Sequence, residues 1–134
     1  METTNEINPW GTRSVSFWMT LLIALGIIFI GARFIIDPDG AAAAFGIPFS
    51  SRGDLPFARI KGIRDIFSGM VLLPLLFQRM RRATAWVFTA ATIIPATDCL
   101  IVLTTNGSDD IQHILIHGLT AGYMAITSFL LFKK

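Results

Sequence analysis

Four apolar stretches separated by polar connections set the rhythm of this chain, running from about Val15 to Ile36, Pro56 to Phe77, Ala83 to Leu103 and Ile111 to Phe132. Each approaches the roughly 20 apolar residues needed to cross a hydrocarbon core of about 30 Å. In hydrocarbon the backbone amides must be satisfied within the segment, so each stretch is expected to be an α-helix. Four consecutive antiparallel crossings predict an all-α fold, a four-transmembrane-helix bundle forming one membrane-embedded domain over residues 1–134.

Interruptions in the pattern add detail. The connection from Asp37 to Leu55 carries Pro38-Asp39-Gly40, a run of alanines from Ala41 to Ala44, and then Phe45-Gly46-Ile47-Pro48. Turn chemistry, good helix formers and a Gly-Pro stop predict a short interfacial helix between helices 1 and 2, placed as a lid or a passive cap over the bundle mouth. Pro74 and Pro95 are expected to bend helices 2 and 3, since proline removes a backbone donor and crowds the preceding turn. Gly118 and Gly122 make a small-xxx-small pair that lets helix 4 approach a neighbour, within the bundle or across a homodimer seam.

Composition narrows the class. The chain is 53% hydrophobic and 15% charged, with a mean hydropathy of +0.63, so its surface is expected to meet membrane lipid. The first stretch is too long for a signal peptide, and its head carries Glu2 and Glu6, so it is expected to stay in the protein. A net charge of +2 without interleaved basic and aromatic residues argues against nucleic acid as a partner. With Cys99 as the single cysteine, no intrachain disulfide can form. Dithiol, dinucleotide, phosphate-loop and zincin motifs are absent, and neither Ser68 nor Ser128 has a His and an acid arranged around it, so no cofactor is expected.

Basic residues set the expected orientation. Arg79, Arg81 and Arg82 lie in the second connection and Lys133 and Lys134 at the C-terminus, whereas the third connection carries Asp109 and Asp110 without a base. Basic loops stay in the cytoplasm, which places both termini inside. At about 1.5 Å per helical residue, Arg33 then lies roughly 7 Å below the outer surface, Asp65 roughly 14 Å, and Asp98 and His117 roughly 9 to 11 Å.

Ionisable groups at such depth cost several kcal/mol and mark a functional hypothesis. Lys61, Arg64, Asp65 and Ser68 recur at helical spacing and are expected on one face of helix 2, while His113, His117, Thr120, Met124 and Thr127 trace a stripe on helix 4. Two readings follow for helix 2: Lys61 and Arg59 snorkel and pair with Asp65 structurally, or the helix contributes to a site with Asp98 and His117. His113 and His117, at i and i+4, could share a metal with an aspartate, but the pair alone is a weak pattern and no metal is assigned.

Gly31-Ala32-Arg33-Phe34 with Pro38, Phe45-Gly46-Ile47-Pro48, Lys61-Gly62-Ile63-Arg64-Asp65 with Gly69, Pro95 with Asp98, and His117 together resemble a family of small four-helix membrane proteins known only as a domain of unknown function. The resemblance covers about Val15 to Phe132 and implies a four-helix fold with Arg33, Lys61, Arg64, Asp65, Asp98 and His117 as the polar positions of interest. Similar small proteins occur among biosynthetic genes, which the resemblance turns toward catalysis on a lipophilic intermediate.

The expected function is thus a polar pocket in the outer half of the bundle, binding a small lipophilic molecule as an acid-base isomerase or cyclase. Asp65, Asp98 and His117 are the expected acid, base and relay; Arg33, Lys61, Arg64 and His113 are the expected binding residues. The alternative is a small proton- or ion-coupled transporter or accessory subunit using the same groups.

Overall fold

The computed structural model describes residues 10–133. Glu2, Glu6 and Lys134, which bear on the signal-peptide and orientation expectations, lie outside that range. The described chain is helical throughout: α1 (Val15–Ile36), α2 (Pro38–Phe45), α3 (Leu55–Phe77), α4 (Arg81–Ala91), α5 (Ile93–Asn106) and α6 (Ile111–Phe132), with a single 3-10 turn, Arg52–Asp54, leading into α3. Three helical stretches, Val15–Ile36, Arg81–Asn106 and Ile111–Phe132, are long and apolar enough to cross a membrane. The charges of α3 keep it below the same apolarity, although it is 23 residues long.

Local sequence explains the boundaries. At α2 the Asp37 carboxylate accepts from the Gly40 amide and Pro38 opens the first turn, while Gly46 ends the helix in the left-handed conformation at φ 101°. The third apolar stretch is two helices. Pro95 has no N–H to offer the Ala91 carbonyl, so α4 stops at Ala91 and α5 starts at Ile93, with Pro95 in its first turn where the missing donor costs nothing. The Thr92 hydroxyl turns back at this joint to the Phe88 carbonyl, 3.0 Å away. Pro74, by contrast, sits in the last turn of α3 without ending it.

Packing is dominated by α1 running antiparallel along α3, and by α4 and α5 against α6. Side-chain deletion draws the first pair together. A Cβ on Gly62 would stand 2.7 Å from the Gly31 carbonyl oxygen, one on Gly31 2.5 Å from that of Gly62, and one on Gly69 would strike the carbonyl of Ala24. Within the chain, Gly118 and Gly122 do not serve this purpose: a Cβ on Gly118 would make an ordinary 3.5 Å contact with Cys99 Sγ, and one on Gly122 would meet nothing within 4 Å. Spacing alone cannot tell a glycine under a crossing helix from one at the surface.

Two apolar cores result. One, at the end of the α3–α4 turn, joins Trp10, Phe17, Leu72, Leu76, Phe88, Met124 and Leu131; the other, beneath α2, joins Phe34, Ala41, Ala42 and Ala58, with Phe45 and Phe49 packed on it. At the first end the Arg81 guanidinium donates to the carbonyls of Leu131 at 2.9 Å, Leu130 at 3.0 Å and Lys133, capping the C-terminus of α6 with charge of the favourable sign.

Candidate functional site

A polar cluster lies beneath α2, built from three helices. On α3 the buried stripe Ala58, Gly62, Asp65, Gly69, Leu72 and Leu76 follows helical spacing and carries the Asp65 carboxylate inward, 7% exposed. Its partner is Lys61, one turn earlier, with Nζ 2.6 Å from Oδ2. The ammonium also lies 4.9 Å from the ring centre of Phe34 on α1 and 5.2 Å from that of Phe45 on α2, so two aromatic faces and one carboxylate surround it. On α5 the half-buried Asp98 lies within electrostatic range of Lys61 and Asp65. This places its carboxylate in the same electrostatic neighbourhood as the pair.

His117 on α6 completes the set. Buried at 9% exposure, its Nε2 lies 2.8 Å from the Phe45 carbonyl oxygen, and its ring is 4.4 Å from that of Phe45. A carbonyl only accepts, so Nε2 carries the proton of this hydrogen bond. The next carbonyl, Gly46, accepts from the Asn106 amide at 2.6 Å. That amide also meets Asp110, whose other oxygen lies 2.7 Å from His113 Nδ1. The end of α2 is thereby tied to α5 and α6 through two successive carbonyls, and a Cβ on Gly46 would come within 2.8 Å of His113. Hydrogen bonds from Asn106, then from His113, hold the Asp110 carboxyl below its ordinary range.

The expected residues divide. Lys61 and Asp65 pair, Lys61 and His117 meet the same Phe45, and Asp98 lies within electrostatic range of the pair without a hydrogen bond to it among the described residues. Arg64 does not: it lies on the exposed side of α3, and among the described residues its side chain forms no ion pair. Residues three and four apart are neighbours on a helix, yet the buried stripe here is narrow enough to include Asp65 and leave Arg64 outside it. Arg33, partly exposed, is turned to Asp37, 3.4 Å away, rather than toward the cluster. His113 belongs to the surface network with Asp110, so the two imidazoles of α6 serve different partners. Among the described residues no three His, Cys, Asp or Glu side chains gather as metal ligands would. A surface hollow of about 540 Å³ is lined by Asp39, Phe49, Ser50, Ser51, Arg52 and Leu55 and by none of the cluster.

Sequence reasoning missed Phe34, Phe45 and Asn106. Phe45-Gly46 was legible as a helix end, but which side chain would lie beneath it depends on tertiary contacts. Asn106 read as a turn residue, and only its 60-residue reach back to Gly46 gives it another part.

No curated protein and no solved structure matches the chain. A family match spans residues 24–131, which include every residue of the cluster. The chain therefore belongs to the family described as a domain of unknown function, DUF4267.

Proposed function

We propose that this is an integral membrane protein of four spans whose polar cluster beneath α2 binds a small lipophilic molecule and moves a proton on it, as an isomerase or cyclase does. The observation that carries the proposal is the convergence of Lys61, Asp65, Asp98 and His117 from α3, α5 and α6 in a chain whose surroundings are apolar. The fourth span is α3: it runs the length of α1, is about 34 Å long at 1.5 Å per residue, and turns Ile63, Phe67 and Met70 outward as the other spans turn Leu22, Phe29, Leu119 and Phe129. Arg79, Arg81, Arg82 and Lys133 at the opposite end favour that end, and both termini, on the cytoplasmic side.

Roles follow from the partners. Asp65 is committed to Lys61, which leaves Asp98 as the acid or base and His117 Nδ1 as its relay. Phe45 roofs the cluster, so α2 acts as the lid, with Phe34 and Phe45 giving the ligand an apolar wall. A second reading, proton-coupled transport, is favoured by the broken span: the joint at Thr92 lies six residues before Asp98, and discontinuous helices are a device of transporters.

The test is extraction. The full chain and Asp98→Asn are purified in nanodiscs and their organic extracts compared by mass spectrometry. A small non-phospholipid retained by the wild type and lost from the variant is the expected result; bilayer phospholipid alone from both overturns the proposal. Proteoliposomes carrying a pH dye separate the readings, since only transport gives Asp98-dependent proton flux.

A further inference from the structure

The end of the bundle opposite α2 is basic without relief. Residues 10–24, 69–94 and 121–133, which meet in the core at that end, carry Arg13, Arg79, Arg81, Arg82 and Lys133 and not one Asp or Glu. At the α2 end, by contrast, Arg33 has Asp37, Lys61 has Asp65 and His113 has Asp110. Arg81 is committed to the carbonyls of α6. Arg13, Arg79 and Arg82 are exposed, and among the described residues their side chains form no ion pair.

Arg79 holds its place against a conformational preference. The chain leaves α3 through a Schellman motif, with the Met80 amide on the Leu75 carbonyl at 2.9 Å and the Arg79 amide on that of Leu76 at 3.0 Å. Glycine is the ordinary occupant of the left-handed position in this motif, yet here it is Arg79, at φ 56°. Its side chain reaches along Gly11, with Nε 3.4 Å from where a β-carbon on that glycine would stand. A residue kept in a disfavoured conformation directs attention to what its side chain does.

Tryptophans fix the depth. All three in the chain are at this end: Trp10 in the core, Trp18 donating to the Thr12 carbonyl at 2.8 Å, and Trp86 edge-on to Phe132. Trp18 and Trp86 are more than half exposed, as aromatic residues are at the boundary between acyl chains and headgroups. Arg13 precedes Trp18 by five residues and Arg82 precedes Trp86 by four, so the arginines stand past that belt, at headgroup level.

We infer that this end docks the headgroup of an anionic phospholipid, its phosphate held by Arg79 with Arg13 and Arg82 beside it and its acyl chains below the tryptophan belt. A planar guanidinium meets phosphate oxygens two at a time. A zwitterionic headgroup brings its own cation to a surface that has no acid to receive it, and a free phosphate makes no use of the belt. The polar cluster lies at the other end, so this inference stands or falls separately from the binding proposal.

The tryptophans supply the readout. The full chain is reconstituted into phosphatidylcholine vesicles holding rising fractions of dibrominated phosphatidylglycerol or dibrominated phosphatidylcholine; bromine quenches only nearby indoles, so the fluorescence loss reports lipid at this end alone. Expected is a preference for phosphatidylglycerol of about fivefold or more at low salt, the effect of roughly one basic residue near the surface, falling at least about twofold in about 1 M salt. Arg79→Gln is expected to bring the preference below about twofold. Arg79→Gly is expected to lose it as well while melting no lower than the wild type, since glycine suits that position. Lys133→Gln, and Arg59→Gln on α3 near the α2 end, are expected to keep the wild-type preference.

Equal quenching by the two lipids, a preference untouched by Arg79→Gln, or an equal loss from Lys133→Gln would each overturn the inference, the last by reducing it to diffuse surface charge. A lowered melting temperature in Arg79→Gly would overturn it too, because the arginine would then serve to hold the turn. If Arg79→Gln does not fold, as judged by circular dichroism, Arg79→Gly and the salt dependence of the wild type decide.

Discussion

At the α3–α4 turn the helices meet through Trp10, Phe17, Leu76, Phe88 and Leu131, none more than 6% exposed, whereas beneath α2 they meet through Lys61, Asp65 and His117. The first end is closed by apolar contact, by Arg81 on the carbonyls of α6 and by Trp86 edge-on to Phe132. The second is closed by a separate helix, tied through two carbonyls to side chains of α5 and α6. A closed apolar end needs no moving part, whereas the proposed binding role of the polar end would need α2 to lift without dismantling the bundle. Between the two ends runs the glycine seam of α1 and α3, which belongs to both and sets their spacing.

The largest effect that can be tested falls on that shared seam. Gly69→Leu drives a side chain into the backbone of Ala24 and is expected to cost about 3 kcal/mol or more, read by denaturant unfolding in detergent, while Gly122→Leu stays within about 0.5 kcal/mol. Equal costs would show that the seam is not where the helices are fixed.

Next comes the ion pair, which sharpens the contrast between the ends. Lys61→Met strands the Asp65 carboxylate and is expected to cost about 2 kcal/mol, less than a fully buried pair because Lys61 remains partly exposed. Adding Asp65→Leu is expected to restore most of the stability but not ligand retention. A double variant that recovers retention too would reduce the cluster to a strut.

At the opposite end, Arg81→Gln is expected to cost about 1 to 2 kcal/mol by uncapping α6, with retention unchanged. Asn106→Ala, which frees the Gly46 carbonyl, is expected to cost about 1 kcal/mol and to speed amide exchange in α2 more than in α1. Uniform acceleration would mean that the roof does not open on its own.

Acid gives the smallest effect. The Asp110 carboxyl is held below its ordinary range, so its contribution is present above the unfolded value of about 4 and is lost as pH falls through the lower folded value. Exchange at α2 is expected to quicken only below about pH 4. Quickening near neutrality instead would assign the tie to a histidine.

Much of the fold was legible. The apolar stretches gave α1 and α6 to the residue, and Gly46 gave the end of α2. Of the stripe His113, His117, Thr120, Met124 and Thr127, the structure buries His117, Met124 and Thr127 and leaves His113 and Thr120 partly exposed. Legibility failed where two elements had to be placed against each other. Arg64 and Asp65 are adjacent in sequence, and only the line of approach of α1 decides which is covered; Gly31, Gly62 and Gly69 have no local mark that separates them from Gly118 and Gly122. Pro95 marked the break in the third span, but bend and break share one signature. In the site, the groups that titrate stood out against an apolar background, while the aromatic rings that surround them were hidden among 11 phenylalanines.

The interruption at Thr92 carries one more consequence. Pro95 has no N–H for the Ala91 carbonyl, so the ladder loses that one bond, while Thr92 keeps its own links to Phe88 and Ala96 and carries α4 into the 14-residue α5 that bears Asp98. The Ala91 carbonyl thereby loses its usual partner one turn on, which sets an extra acceptor inside an apolar span about two turns before Asp98.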